Sequence, residues 1–158
     1  MCVRLVTLEE KWANVGPRRK PFEITKWQPN TKAGDVLLIG PCGHGGGTGR
    51  RVIRGVATVG GRWRSSKTAT EARLVRGGHL ALLSQAECQA LNAHIAGYRD
   101  DDVLYITELV EGRRLEQDVE LAQALEDAGL RNAVPESSRL WPHLRGEAVA
   151  AALRAVGS

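Results

Sequence analysis

The chain is poor in cysteine, and its three cysteines are far apart. Cys2, Cys42 and Cys88 form no CxxC pair, so the sequence carries neither a disulfide framework nor a zinc-ligand pattern. Cys42 and His44 could share a metal ion, but no second pair of ligands has suitable spacing. We therefore expect neither a metal nor a cofactor.

Long apolar runs are also absent. No stretch approaches the roughly 18 apolar residues of a membrane-spanning helix, and no signal peptide precedes the first strand-like stretch. We expect a cytoplasmic protein with no membrane partner.

The chain has 158 residues, of which 42% are hydrophobic and 25% charged. This size and composition are typical of one globular domain, here spanning residues 1–158.

Positive charge is concentrated in the first half of the chain. The formal net charge is +4, with a pI near 9.3, and the second half is the more acidic. The densest group of arginines lies beside and after a glycine-rich loop: Arg50, Arg51, Arg54, Arg62 and Arg64. This asymmetry predicts a basic face that contacts phosphates. The alternative is scattered charge on a solvated surface.

Strand and helix signals alternate along the sequence. Apolar alternation and β-branched residues indicate strands near residues 2–7, 22–27, 36–39, 51–59, 71–75 and 103–110. Helices are indicated near residues 8–14, 85–96, 119–128 and 147–156. Ser84 and Glu87 form a capping box for the second of these helices, and Asp118 is the expected cap of the third. This order predicts an α+β fold around a small barrel or strongly bent sheet.

The second strand-like stretch carries the clearest candidate chemistry. Its period of two places Glu23, Thr25 and Trp27 on one face. Lys20 lies three residues before Glu23 and would share that face only if the chain is irregular at Pro21. A lysine beside a carboxylate can position or deprotonate a water molecule. It can equally be an ordinary ion pair.

The glycine-rich loop at residues 43–49 matches no known phosphate or oxyanion motif. No Lys-Ser/Thr pair follows as in a Walker loop, and no GxSxG elbow occurs anywhere in the chain. The dinucleotide fingerprint fails on spacing. What remains is a hairpin loop whose amides, with His44, Gly45 and Gly46, could approach a phosphate or a base edge. A plain linker between two strands is the alternative.

Tryptophan is the commonest aromatic residue. Trp27 and Trp63 lie among lysines and arginines, a setting typical of stacking platforms for bases. We expect them to meet at one mouth of the barrel, with Glu23 or Thr25 contacting the polar edge of the base. Core or rim packing is expected for Trp12 and Trp141.

Two stretches resemble known families. Gly16, Lys20, Glu23 and the Gly34-Asp35 turn resemble the start of ASCH domains, although Thr25 stands where those domains have an arginine. Residues 113–153 are similar to the closing pattern of EVE domains. Both families belong to the PUA-like superfamily of small pseudo-barrels.

The resemblance implies binding of a modified or flipped base, in RNA or DNA, at the barrel mouth. The expected partner is therefore a nucleic acid or a modified nucleoside. The residues predicted to bind it are Lys20, Glu23, Thr25, Lys26, Trp27, His44, Gly45, Gly46, Arg50, Arg62, Trp63 and Arg64. The alternative is an ASCH-type amidohydrolase that acts on an acylated nucleoside such as N4-acetylcytidine, with Lys20 and Glu23 catalytic. Glu23 then occupies the place where those enzymes have a threonine. A third possibility is a protein-interaction module without a ligand.

Overall fold

The computed structural model describes residues 1–42, 51–131 and 141–157, and it shows the expected α+β fold. The strands are β1 (Val3–Leu8), β2 (Phe22–Thr25), β3 (Val36–Pro41), β4 (Val52–Ser66) and β5 (Val103–Glu120). The helices are α1 (Glu10–Val15), α2 (Lys67–Arg76), α3 (Gln85–Ala96), α4 (Leu121–Asp127) and α5 (Glu147–Ala155). None of the helices in these three ranges is long and apolar enough to cross a membrane.

One five-stranded sheet organises the molecule. Its strand order is β1-β3-β4-β5-β2, with β1 parallel to β3 and the other neighbours antiparallel. The register between the long strands β4 and β5 shifts three times, at Ile53/Gly55, Val56/Thr58 and Val59/Arg62. Such irregularities bend and twist a sheet. Among the described residues, β2 pairs only with β5, so its other edge is open. The outer edge of β1 is covered, because the Leu5 N–H donates to the Pro142 carbonyl and the Leu144 N–H donates to the Val3 carbonyl, both at 2.8 Å.

Three apolar clusters hold the sheet and helices together. One lies between the sheet and helices α4 and α5, with Leu38, Leu121 and Leu125 at its centre. A second includes Leu37, Val59, Leu109 and Trp141. The third joins β2 and β5 to α1, α2 and α3 through Trp12, Phe22, Leu74, Leu91 and Ile106. Helices α1 and α3 are thereby packed beside β2.

The turn before β3 forms as the Gly34-Asp35 pair predicts. Gly34 has φ = +93°, a conformation that favours glycine. The Asp35 carboxylate accepts hydrogen bonds from the backbone N–H groups of Cys2 and Lys32, both at 2.9 Å. Burial by itself would raise the pKa of Asp35, but these hydrogen bonds and nearby Arg4 outweigh it and lower that pKa. The carboxylate therefore ties the turn to the start of β1.

Two local predictions are wrong. Residues 71–75 were expected to be a strand but lie in helix α2. This helix begins after Ser66, and the Ser66 side chain caps it by accepting a hydrogen bond from the Ala69 N–H. Asp118 does not cap a helix, because it lies in β5 and pairs with Arg54 at 2.9 Å.

Strands β4 and β5 extend far beyond their apolar segments, since each satisfies the other's backbone groups along most of its length.

The capping box of α3 forms as predicted and supports a stability test. Ser84 Oγ accepts from the Glu87 N–H at 3.1 Å, and Glu87 Oε1 accepts from the Ser84 N–H at 2.8 Å. We expect Ser84→Ala to lower the free energy of unfolding by about 1 kcal/mol, measured by urea denaturation. The control is Gln89→Ala on the exposed part of the same helix, which should change it by less than about 0.5 kcal/mol. Equal effects of the two variants would contradict the role of the cap.

Candidate functional site

A cavity of about 410 Å³ opens beside the free edge of β2. Strand β1 contributes the end nearest α1, β2 contributes most of its length, and helices α1 and α3 contribute one side chain or more each. The lining residues are Thr7, Leu8, Glu9, Trp12, Lys20, Glu23, Ile24, Thr25, Lys26, Trp27, Cys42, Leu91, His94, Tyr98 and Trp141. The cavity thus lies between the two edge strands. Its aromatic lining comes from distant parts of the chain, namely Trp12, Trp27, Tyr98 and Trp141.

Lys20 and Glu23 form a buried ion pair in the cavity wall. Lys20 Nζ donates to Glu23 Oε1 at 2.9 Å and to the Phe22 carbonyl at 3.1 Å. The two side chains are only 6% and 10% exposed. The residues come together because Lys20 precedes the strand and its backbone N–H bonds to Gly16. Lys20 therefore lies in a turn before β2 and not on a regular extension of the strand, and from there it reaches Glu23.

The Lys20 amino group also contacts two aromatic rings. Besides the carboxylate and the carbonyl, the ammonium lies 5.1 Å from the centre of the Trp12 ring and 4.9 Å from that of Phe22. Cation–π contacts of this kind stabilise a positive charge. Two of the three ammonium N–H groups are used within the wall. Lys20 is thus a fixed cation that orients Glu23.

The polar groups that β2 presents are mainly hydrogen-bond acceptors. Among the described residues Glu23 Oε2 has no hydrogen-bond partner, since Lys20 bonds to the other oxygen. The Thr25 hydroxyl donates to the Trp27 carbonyl at 2.7 Å, so its lone pairs remain available. Glu23 and Thr25 point to the same face of β2, as the period of two predicts. A ligand in the cavity therefore meets two acceptors side by side.

The open edge of β2 adds backbone groups. The bond from the Leu109 N–H to the Pro21 carbonyl shows that Pro21, Glu23 and Thr25 turn their backbone toward β5, in the register of this pair. Ile24, between them, turns its N–H and carbonyl to the outer edge. Ile24 also lines the cavity. One backbone donor and one backbone acceptor are thus directed to the cavity side of the strand.

Aromatic rings supply the apolar walls. Trp27 contacts Trp141 edge to face, with 5.4 Å between ring centres and an interplanar angle of 81°. Tyr98 Oη lies 3.1 Å from His94 Nε2; His94 is in the last turn of α3, and Tyr98 lies just after the helix. Burial, with smaller contributions from the charges of Glu23 and Asp102, raises the pKa of Tyr98. Its hydroxyl therefore stays protonated at neutral pH and can donate a hydrogen bond.

Sequence reasoning missed several of these walls. Trp12, His94, Tyr98 and Trp141 line the cavity although none was among the predicted site residues. Trp141 lies more than a hundred positions from β2 in sequence, and no local pattern connects the two. Tyr98 lies just after the end of α3. An aromatic residue in such a position is usually interpreted as part of the core, so the sequence gives no sign that it lines a cavity.

The predicted site residues divide into three groups. Lys20, Glu23, Thr25, Lys26 and Trp27 all line the cavity. His44, Gly45, Gly46 and Arg50 lie outside the described residues. Arg62, Trp63 and Arg64 are described but do not line the cavity.

The structure does not bring Trp63 to Trp27. Trp63 packs in the third apolar cluster and contacts the His79 ring, with 5.4 Å between centres. The alternation of β4 explains this placement, because Trp63 pairs with Ile106 and so points to the opposite face of the sheet from Arg62 and Arg64. The expectation that both indoles meet at one mouth is therefore wrong.

The arginines of β4 do not form one free basic cluster. Arg54 binds Asp118 through two hydrogen bonds and also contacts Asn14. Arg62 donates to the Thr31 carbonyl at 2.9 Å and also contacts the Thr31 hydroxyl. Burial lowers the pKa of Arg62. Arg64 is different, because it is exposed and no partner for its guanidinium exists among the described residues.

No metal site is found in the part of the chain that the structure describes. Residues 1–42, 51–131 and 141–157 contain no group of three or more His, Cys, Asp or Glu side chains placed to hold an ion. The chemistry available in the cavity is that of a buried ion pair, the hydroxyl groups of Thr7, Thr25 and Tyr98, an imidazole and aromatic surfaces.

Comparisons with known proteins identify the fold. No protein-family model and no curated protein matches the sequence, but solved structures do. The ASCH protein from Zymomonas mobilis is 15% identical, with a TM-score of 0.64, over 96% of this chain and 94% of that chain. A single-substitution variant of the same protein gives a TM-score of 0.65, over 96% of both chains. The chain therefore has the same overall fold as this ASCH protein, as the sequence resemblance predicted.

Proposed function

We propose that this protein binds nucleic acid by holding a single modified or flipped base in the cavity beside β2. The observation that carries the proposal is the pairing of aromatic walls with the buried Lys20–Glu23 pair in one cavity. Apolar walls with a few fixed polar groups are typical of small-molecule sites. Flat rings bind flat ligands by stacking, and the polar groups contact the ligand's edge.

The size and position of the cavity support one base as the ligand. At about 410 Å³ the cavity falls in the range of roughly 300–1,000 Å³ that is usual for ligand sites. It lies beside the edge strand β2 and is lined by side chains of β1, β2, α1 and α3. A base in a duplex would therefore have to leave its stack to enter, at a cost of a few kcal/mol. Single strands, loops and mismatched positions enter at lower cost.

The ion pair favours binding over hydrolysis. An amidohydrolase using Lys20 as a general base would need its amino group directed at a water molecule, whereas Lys20 Nζ is engaged within the wall by Glu23 and the Phe22 carbonyl. Glu23 is held by that ammonium and has one oxygen free, which suits an acceptor that recognises an N–H group. The amidohydrolase remains the second candidate, since a buried carboxylate in a cavity is also what water activation requires.

Nucleoside binding tests the proposal directly. We expect saturable binding, measured by calorimetry and tryptophan fluorescence, in a panel of the four unmodified ribonucleosides, N4-acetylcytidine, 5-methylcytidine and N6-methyladenosine. The same bases within short single strands should also bind, more weakly as salt rises, because phosphate contacts release counterions. Absence of binding to every nucleoside and every strand at low salt would overturn the proposal.

Product analysis separates the two candidates. N4-acetylcytidine incubated with the wild-type protein should be recovered unchanged, as followed by chromatography. Deacetylation by the wild type that disappears in Glu23→Gln, while an exposed-site variant such as Glu71→Gln keeps it, would establish the amidohydrolase instead. The Glu71 carboxylate is exposed on α2 and does not line the cavity, so it controls for the loss of one negative charge.

A further inference from the structure

We infer that the strip formed by Thr25, Tyr105 and Arg64 is a second subsite, which holds the nucleotide next to the base in the cavity. The inference rests on the proposed function and extends it from one base to a short single strand. The residues of the strip lie in three adjacent strands, β2, β5 and β4, at the edge of the cavity.

The sheet register places the three side chains in one row. Thr25 is opposite Tyr105, and Tyr105 is opposite Arg64. Directly opposed residues of antiparallel strands point to the same face. Since neighbouring strands are about 4.8 Å apart, the row extends about 10 Å from the cavity wall to Arg64. A nucleotide attached to a base in the cavity can reach across this distance.

The neighbouring row on the same face is closed on β5 and β4. Glu23, Thr107 and Arg62 are opposed in the same way, but Thr107 is fully buried. Arg62 is engaged by Thr31. Only the β5 and β4 members of that row, Thr107 and Arg62, are closed, whereas Glu23 lines the cavity. On β5 and β4 the strip through Tyr105 is therefore the first row that a ligand can contact.

The strip itself has free binding groups. Tyr105 is half-buried and Arg64 is exposed. Within the described ranges, neither the Tyr105 hydroxyl nor the Arg64 guanidinium has a hydrogen-bond or ion-pair partner. This distinguishes Arg64 from Arg54 and Arg62 on the same strand, which are held by Asp118 and Thr31.

The chemistry of the strip matches a single-stranded nucleotide. Tyr105 offers a ring on which a base or sugar can stack, and Arg64 offers a planar fork of donors for a phosphate. Lys26, also at the cavity rim and 54% exposed, adds a second cation, although it contacts Asp102 at 3.5 Å. Basic side chains combined with an aromatic ring are typical of sites that bind a single strand without regard to its sequence.

Comparing a nucleoside with a trinucleotide that contains it tests the second subsite. Each nucleoside of the panel is measured alone and as the central unit of a trinucleotide with a uridine on each side, at about 50 mM salt, where phosphate contacts are strong. For a base that binds, we expect the trinucleotide to bind wild-type protein at least tenfold more tightly than the nucleoside. Arg64→Gln should remove most of this gain, leave the nucleoside Kd within twofold, and reduce the salt slope of trinucleotide binding by about one.

Matched variants define the controls. Tyr105→Leu should also reduce the gain, whereas Tyr105→Phe, which keeps the ring, should preserve most of it. Arg154→Gln removes the same charge from the exposed surface of α5 and should change nothing. Thermal melts show whether each variant is folded.

Three outcomes decide the matter. Loss of the length-dependent gain in Arg64→Gln but not in Arg154→Gln supports the second subsite. A gain that is absent in the wild type, or unchanged in Arg64→Gln, overturns the subsite while base binding in the cavity stands. Failure of every nucleoside and every trinucleotide to bind overturns both the proposed function and this inference.

Discussion

Replacing Lys20 by methionine is expected to lower the free energy of unfolding by about 3–5 kcal/mol, as is typical when one partner of a buried ion pair is removed. The Glu23 carboxylate would keep its burial, with its side chain 10% exposed, and lose the ammonium 2.9 Å away. The Phe22 carbonyl would lose its donor as well. Urea denaturation monitored by tryptophan fluorescence measures the change.

A double variant separates the loss of the pair from the loss of packing. In Lys20→Met/Glu23→Met both charges are gone and the volumes are nearly preserved, so most of the lost stability should return, since apolar replacements of buried ion pairs are often neutral. Binding of any base should not return, because Glu23 Oε2 is the acceptor offered to the cavity. A single variant that loses less than about 1 kcal/mol, or a double variant no more stable than the single one, would show that the pair is screened by solvent.

Replacing Trp27 by alanine is expected to weaken base binding about tenfold or more. Stacking on one aromatic ring is worth roughly 1–3 kcal/mol per base, and about 1.4 kcal/mol corresponds to a factor of ten in Kd. Trp27 lines the cavity and is half-buried, so its ring has a surface to offer. Trp27→Phe, which retains an aromatic face, should recover part of the affinity.

Trp63 is the matched comparison for this experiment. It packs with His79 and the α2–α3 cluster and does not line the cavity. Trp63→Ala should therefore destabilise the fold by roughly 2–4 kcal/mol, a core effect, and leave the Kd of the folded protein nearly unchanged. Trp27→Ala should show the opposite pattern, with a small stability loss from the Trp141 contact. Equal affinities of the wild type and Trp27→Ala for the base would show that the Trp27 indole does not contact the ligand.

The ion pair and the indole have different tasks in the proposed site. Lys20 and Glu23 are nearly enclosed, so they hold a fixed polar pattern that a ligand edge must match. Trp27 is partly accessible and supplies surface with little selectivity. Discrimination between bases should therefore respond to Glu23 and affinity to Trp27. The uniform contribution of flanking phosphates should come from Arg64 and the rim.

Local sequence patterns were enough to predict several elements of the fold around the cavity. The period of two at residues 22–27 placed Glu23 and Thr25 on one face, and both line the cavity. The Ser84–Glu87 capping box located the start of α3, and Gly34-Asp35 located the turn before β3. These signals are reliable because the interactions behind them join residues only two to four positions apart.

Where the local signal was ambiguous, the prediction failed. Residues 71–75 carry a short apolar alternation, yet they form the second half of a helix that Ser66 caps and Leu74 anchors in the core. Trp63 lies among arginines, yet the bulges before it and its pairing with Ile106 turn its ring to the core. In both cases tertiary packing outweighed a weak local preference.

By itself, the sequence determined the α+β class, most strand and helix positions and the polar face of β2, because each depends on interactions between near neighbours. The tertiary structure alone decided which residues form the cavity. It brings the end of β1 and the strand β2 to one cavity, places Trp12 from α1 and Tyr98 from the segment after α3 against them, and adds Trp141 from the far end of the chain. It also separates Arg64 from the engaged arginines of β4. Contacts across such distances follow from strand order and sheet curvature, which no periodicity within a single segment encodes.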